Sequence, residues 1–285
     1  MTRIYAAISY KGGTGRTTAS ANVGYHLARS GTSTCVVDLD LTSPTFGAVL
    51  EMPKFRLGAE MGVHDILTDS AVAREPRDLR KSVWRHSEKL GLPPERAADF
   101  DLIPGKETRR AGMPVRPDAA TAGRLAEALE RLREHYEVII LDVRSGMSDA
   151  TAILNYALQA NGVSGPQLAI TSWLVFFRWT PQHLAGTSSL CETLSRNAEV
   201  RTVRTAYDAP TAEAPGWYRE QHRQLTDEMD EVLAEFAPIA DIPFESMLRW
   251  RETVIVESDV QDGIAAAATE AAYRRLATKL KAAFQ

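Results

Sequence analysis

Eight consecutive residues carry the densest chemistry in the sequence: Lys11-Gly12-Gly13-Thr14-Gly15-Arg16-Thr17-Thr18. Glycines let a backbone turn tightly and aim successive N–H groups at one oxyanion. Lys11 and Arg16 supply positive charge, and the Thr17 hydroxyl is the kind of oxygen that Mg2+ accepts. The chemistry implied is phosphate binding. Against the common nucleotide loop GxxxxGK[ST], Gly15 and Thr17 match, but Tyr10 stands where the first glycine would be and Arg16 where the lysine would be. A glycine-rich turn with no ligand is the plain alternative. Carboxylates form the second group. Asp38 and Asp40 end the run TCVVDLD, and Asp142 ends VIILD. Such residues can hold a Mg2+ shell and orient a water nucleophile, or they can simply cap strand ends.

These groups need a scaffold that gathers them. Short apolar runs predict strands over residues 4–9, Thr34–Leu39, 100–104, 138–142, Val200–Tyr207 and 239–243. Residues 168–177 hold one long strand or two broken pieces. Four-residue apolar spacing predicts helices over 17–30, 119–135, 148–160, 180–196, 217–236 and 269–284, with a short helix starting at Gly62. Residues 74–98, charged and broken by proline, read as helix and surface loop. The alternation implies an α/β fold: one domain over residues 1–285, a mostly parallel twisted sheet with helices on both faces and a C-terminal helix at about 269–284. Ligands in such sheets lie outside the strand carboxyl ends, where the loop falls.

Bulk properties narrow the function classes. Lys and Arg total 33 against 37 Asp and Glu, a net charge of −4. That argues against a whole-surface nucleic-acid binder and leaves a local basic patch open. Two cysteines, Cys35 and Cys191, without CxxC spacing, point to a reduced cytoplasmic protein. The first apolar stretch is too short for a signal peptide, and no window approaches the ~18 apolar residues of a membrane span.

KGGTGRTT resembles the KGGxGKTT loop of the ParA/MinD-type P-loop ATPases in all but one defining residue. The resemblance extends through the DxD of Asp38 and Asp40 and through Asp142 with Gly146, and more weakly through DLIPG and Ile242-Pro243-Phe244. It implies ATP and Mg2+ as cofactors, with residues 11–18 around the phosphates and Pro243 against the base. It places Thr17, Asp38 and Asp142 around the metal and gives catalytic roles to Lys11, which crosses a dimer interface, and to Asp40, which orients water. The asparagine that often reads adenine is missing from 201–206. Arginine is a broad planar fork where lysine is a compact charge, so Arg16 predicts weak binding and slow turnover.

The resemblance implies an ATP-dependent homodimeric switch with a protein partner. A scaffold that has lost nucleotide and a small-molecule enzyme on the same fold stay open. Arg144 is expected to pair with Asp142 or Asp149 or to reach a phosphate, the structural pairing being the favoured reading. The apolar stripe of Tyr273, Leu276, Leu280 and Phe284 is expected to pack, with membrane contact as the lesser reading. Arg178 and Trp179 are read as contact residues, and Arg249 and Arg251 beside Trp250 as a minor DNA-phosphate reading.

Overall fold

The computed structural model describes residues 2–49, 62–83, 100–105, 115–159, 168–208, 210–249 and 252–282. Among the described residues there are eight strands: β1 (Arg3–Ser9), β2 (Thr34–Leu39), β3 (Lys81–Val83), β4 (Phe100–Ile103), β5 (Val138–Val143), β6 (Ser172–Arg178), β7 (Val200–Tyr207) and β8 (Pro238–Pro243). They form one sheet in the order β3-β4-β2-β5-β1-β6-β7-β8. Seven run parallel, and β3 pairs antiparallel at one edge, Lys81 opposite Leu102. The long helices are α1 (Arg16–Arg29), α5 (Ala119–Arg133), α6 (Asp149–Leu158), α7 (Pro181–Leu194), α8 (Gly216–Val232) and α10 (Ala267–Ala282). Shorter ones are α2 (Phe46–Val49), α3 (Val63–Thr68), α4 (Ser70–Arg74) and α9 (Glu257–Gln261).

Parallel strands covered by helices bury both faces, and the central strands here do so. Ile4, Ala6 and Ile8 of β1 join a core with Leu125 and Leu129 of α5 and Ile153 of α6. Tyr5 and Ala7, between them in sequence, face the opposite core, with Val23 and Leu27 of α1 and Leu276 and Leu280 of α10. The period-2 alternation of side chains thus splits a continuous apolar run between two cores.

Most expected elements appear within one or two residues of their predicted ends. Three departures have physical causes. Residues 168–171 lie outside β6, so the expected long run is a single strand starting at Ser172. β3 went unseen because three residues, one of them a lysine, carry no readable period. The C-terminal stripe is packed, not free: Tyr273, Leu276 and Leu280 are buried, and the Tyr5 hydroxyl donates to the Leu280 carbonyl at 2.6 Å. The readings on residues 84–98, Trp250, Arg251 and Phe284 lie outside the described residues, as does the Arg249 side chain.

Candidate functional site

Residues 10–15 join the end of β1 to the start of α1. Gly13 and Gly15 both adopt the left-handed backbone, at φ 74° and 73°. A side chain is strained in that region, which explains glycine at these two turns. Gly15 caps α1 without a side-chain hydrogen bond, and the first turn holds no acidic residue. The first helical bond into this turn is from the Ala19 N–H to the Gly15 carbonyl, 2.8 Å. The N–H groups of residues 16–18 therefore have no acceptor within the helix and carry its positive dipole end.

Neighbouring strands pin the loop. The Thr205 hydroxyl, at the end of β7, lies 2.7 Å from the Thr14 carbonyl and 3.1 Å from the Phe177 carbonyl. The Gly146 N–H donates to the Ser9 carbonyl at 2.7 Å, tying the turn after β5 to the end of β1. Tyr10, the first departure from the common loop, lays its ring on α7. A Cβ at Gly186 would come within 2.0 Å of that ring.

Arg16, the second departure, does not point along the loop. Its Nε donates to Asp142 Oδ1 at 2.8 Å, and its Nη2 reaches Asp142 Oδ2 at 3.4 Å and the Thr17 hydroxyl at 3.2 Å. Thr17 Oγ1 donates to Asp142 Oδ2 at 2.8 Å, and Ser20 Oγ donates to Oδ1 at 3.2 Å. Arg16 and Asp142 are 8% and 1% exposed, so this is a buried ion pair with four donors on one carboxylate. Burial, the largest single influence, lowers the pKa of the guanidinium, but the Asp142 charge and hydrogen bond together with the charges of Asp38 and Asp40 outweigh it and hold the pKa raised.

Asp38 lies beside Asp142 in the β2–β5 register. It is fully buried, and burial followed by the Asp142 charge pushes its carboxyl up to about 8. It accepts the Asp40 N–H at 3.0 Å. The Asp40 carboxylate accepts from the Ser43 N–H at 3.0 Å and the Thr42 N–H at 3.3 Å, so it shapes the turn that follows β2. Lys11 is exposed.

A cavity of about 280 Å³ is lined by residues 12–18, Asp40 and Arg144. A second cavity of about 240 Å³, toward the end of β8, is lined by Arg178, Ala206, Pro243 and Phe244. The two share Gly13, Thr14, Gly15, Thr18 and Glu252, which makes one cleft with two ends. Of the expected residues, 12–18, Asp40 and Pro243 line it, exposed Lys11 is not among its lining, and Asp38 and Asp142 lie beneath.

Arg144 lines the phosphate end and has no ion pair among the described residues, so the expected pairing with Asp142 belongs to Arg16 instead. Trp179, expected as a contact residue, packs against Tyr207, His222 and the Arg204 guanidinium. Sequence reasoning missed Ser20, Thr205 and Glu252. Ser20 was within reach, one helical turn after Arg16. Thr205 and Glu252 arrive from distant elements with no motif around them.

The donor set does not fit a divalent cation beside Arg16. Thr17 and Asp142 supply the oxygens for one, but they bond directly to each other, Arg16 and Ser20 already bond to them, and the guanidinium lies against both.

A family model described as AAA domain (AAA_31) matches residues 2–158, more than half of the chain. The chain belongs to this family and, by its fold and loop, is a ParA/MinD-type P-loop ATPase. The sporulation initiation inhibitor protein Soj of Bacillus subtilis (strain 168) is 30% identical over 143 residues, 50% of this chain and 49% of Soj. The septum site-determining protein MinD of Synechocystis sp. is 28% identical over 151 residues, 52% of this chain and 47% of that MinD. The chain thus matches about half the length of these curated relatives. Among solved structures, the septum site-determining protein MinD of Pyrococcus horikoshii OT3, complexed with Mg-ADP, superposes with a TM-score of 0.67 at 19% identity, covering 99% of this chain and 97% of that one. No helix among the described residues is long and apolar enough to cross a membrane.

Proposed function

We propose that this chain is a nucleotide-dependent switch that binds ATP in the two-ended cleft, hydrolyses it slowly at most, and dimerises through the loop face. One observation carries the reading: the loop keeps its phosphate cradle, with unpaired helix N–H groups and Lys11 exposed, while Arg16 is spent on Asp142. The cradle supports binding. Lys11 stands where a second copy of the chain could meet it, which supports dimerisation.

Slow turnover follows from Arg16 and Asp40. A guanidinium held on Asp142 cannot follow the β- and γ-phosphates as a lysine does. A misplacement of about 1 Å costs roughly a hundredfold in rate. Asp40 lines the phosphate end and is the group to orient a water, but its carboxylate is engaged with residues 42 and 43. The partner is a protein that reads the dimer. A cytoplasmic location goes with this reading.

The test is an equilibrium titration of the purified chain with ATP, followed by sedimentation of the complex. Saturable binding in the micromolar range with a shift to dimer supports the switch. No binding up to millimolar ATP, with binding restored in Arg16→Lys, sinks it and leaves a scaffold that has lost its nucleotide.

A further inference from the structure

Thr17 and Asp142 supply the hydroxyl and carboxylate that hold a cation next to bound phosphates, and in this chain another positive charge is already there. The Arg16 guanidinium contacts both, through Nε and Nη2 to Asp142 and through Nη2 to Thr17. Ser20 takes up further acceptor capacity on Asp142. A small hard cation needs those oxygens and is repelled by a second positive charge held against them.

We propose that Arg16 stands in for the divalent cation, so that the cleft takes the pyrophosphate of a nucleoside di- or triphosphate free of Mg2+. This rests on the nucleotide reading above and deepens it. Arg16 is buried yet lines the phosphate end of the cleft, so it is fixed in place and still reaches the ligand. Its Nε and Nη2 are committed, whereas Nη1 has no partner among the described residues. The two N–H groups on Nη1 suit a phosphate oxygen, because a guanidinium presents donors in a planar fork matched to oxyanions. The Asp142 carboxylate anchors the back of that fork, as it would anchor a metal. Buried charge of this kind is kept only where it is paired, and the pairing leaves one edge for a ligand.

The replacement is incomplete in charge. A loop lysine and a divalent cation together bring three positive charges, and Arg16 brings one. The site therefore favours the less charged ligand, and ADP binds at least as tightly as ATP.

The test is calorimetric titration of the full chain with ADP and with ATP, in EDTA and in excess MgCl2, for the wild type and Arg16→Lys. The wild type is expected to bind about tenfold or more weakly in excess MgCl2 than in EDTA, because Mg2+ competes for the free nucleotide, while the Arg16→Lys variant binds about tenfold or more tightly with Mg2+. A wild type that binds about tenfold more tightly with Mg2+ overturns the proposal and leaves the nucleotide switch standing. A wild type that binds in neither buffer overturns the switch, and this proposal with it. Electron paramagnetic resonance of added Mn2+ gives a second readout that needs no variant. Mn2+ added with excess nucleotide should stay with the nucleotide in solution and show its signal unchanged by the wild-type protein; immobilisation of one Mn2+ by the wild-type complex contradicts the assignment.

Discussion

The two ends of the cleft are built by opposite means. At the phosphate end, position is set by charge: one buried carboxylate collects a guanidinium and two hydroxyls, and every donor comes from the first two turns of α1. At the other end, position is set by backbone shape. β7 and β8 pair with shifts in register, Ala206 takes a positive φ, and Pro243 and the exposed Phe244 form the wall. Charge needs burial and exact partners to be worth its desolvation. Backbone shape needs only residues that tolerate the bend. Substitutions should therefore be costly at the first end and mild at the second.

The largest expected effect is at Asp142. Asp142→Leu strands the Arg16 guanidinium in the core without a counter-charge, which costs about 3–5 kcal/mol of stability. Pairing it with Arg16→Met removes both charges and should recover most of that loss. Urea unfolding of both single variants and the double gives the coupling directly. An Asp142→Leu variant as stable as wild type would mean that the phosphate end is not held by this pair.

His26 sharpens the contrast on the same helix. Arg16 is buried with a counter-charge, whereas burial, then Arg274 and Arg29, lower the His26 pKa to about 4. Glu270 lies 3.9 Å away, which favours the charged form, but it does not outweigh those three, and Nε2 makes no hydrogen bond among the described residues. The sign follows from linkage. Above the ordinary pKa of 6.5 the imidazole is neutral both folded and unfolded. Between 6.5 and about 4 only the unfolded chain takes the proton, so stability falls as pH falls. The slope is about 1.4 kcal/mol per pH unit and totals on the order of 3 kcal/mol. Comparing wild type with His26→Gln isolates this, because other groups such as Asp38 titrate in both. The stability gap between the two proteins should move in favour of His26→Gln as pH drops from 7.5 to about 4.5; a gap independent of pH would show that His26 is not held neutral.

The sequence made the phosphate end legible and left the other end obscure, and the reason lies in the kind of information each uses. Gly13, Gly15, Thr17, Asp38 and Asp142 stand in local runs, each beside its own strand, so type and spacing pointed to them. The direction taken by Arg16 was not legible. A basic residue in a glycine loop suggests a phosphate, and only the packing of β5 against α1 puts Asp142 within 2.8 Å of it. The same gap explains Arg144, which neighbours Asp142 in sequence yet leaves the pairing to a residue 126 positions away. Thr205, Ala206 and Glu252 reach the cleft from segments with no motif. Thr205 and Ala206 owe their roles to β7 lying two strands from β1, and Glu252 to the segment after β8, a matter of topology.

Gly105 joins the two modes, since it is a backbone feature that serves a charged residue. A Cβ there would lie 2.5 Å from the Pro44 Cβ and 3.1 Å from the Asp38 carboxyl carbon. Neither neighbour is the free end of a flexible chain. Gly105→Ala should cost about 1–3 kcal/mol, the usual range for overpacking. It should also displace the turn holding Asp40, seen as faster proteolysis around residues 40–45. A stable variant with an unchanged cleavage pattern would show that this turn yields freely.

The smallest expected effect is at Ala206, and it has the opposite sign. Ala206 is the one described non-glycine residue with a positive φ, 51°, where its Cβ crowds the following carbonyl. It sits where the β7–β8 register slips between Thr205 and Tyr207, one residue after the hydroxyl that contacts the loop at Thr14. Glycine takes this conformation without strain but loses more freedom on folding, so the two terms partly cancel. Ala206→Gly should therefore stabilise the chain by roughly 0.5–1 kcal/mol, read as a small rise in the urea midpoint. Destabilisation by a similar amount would mean that the Ala206 methyl packs usefully in the wall of the cleft. The second end would then depend on side-chain contacts after all, and the contrast with the phosphate end would narrow.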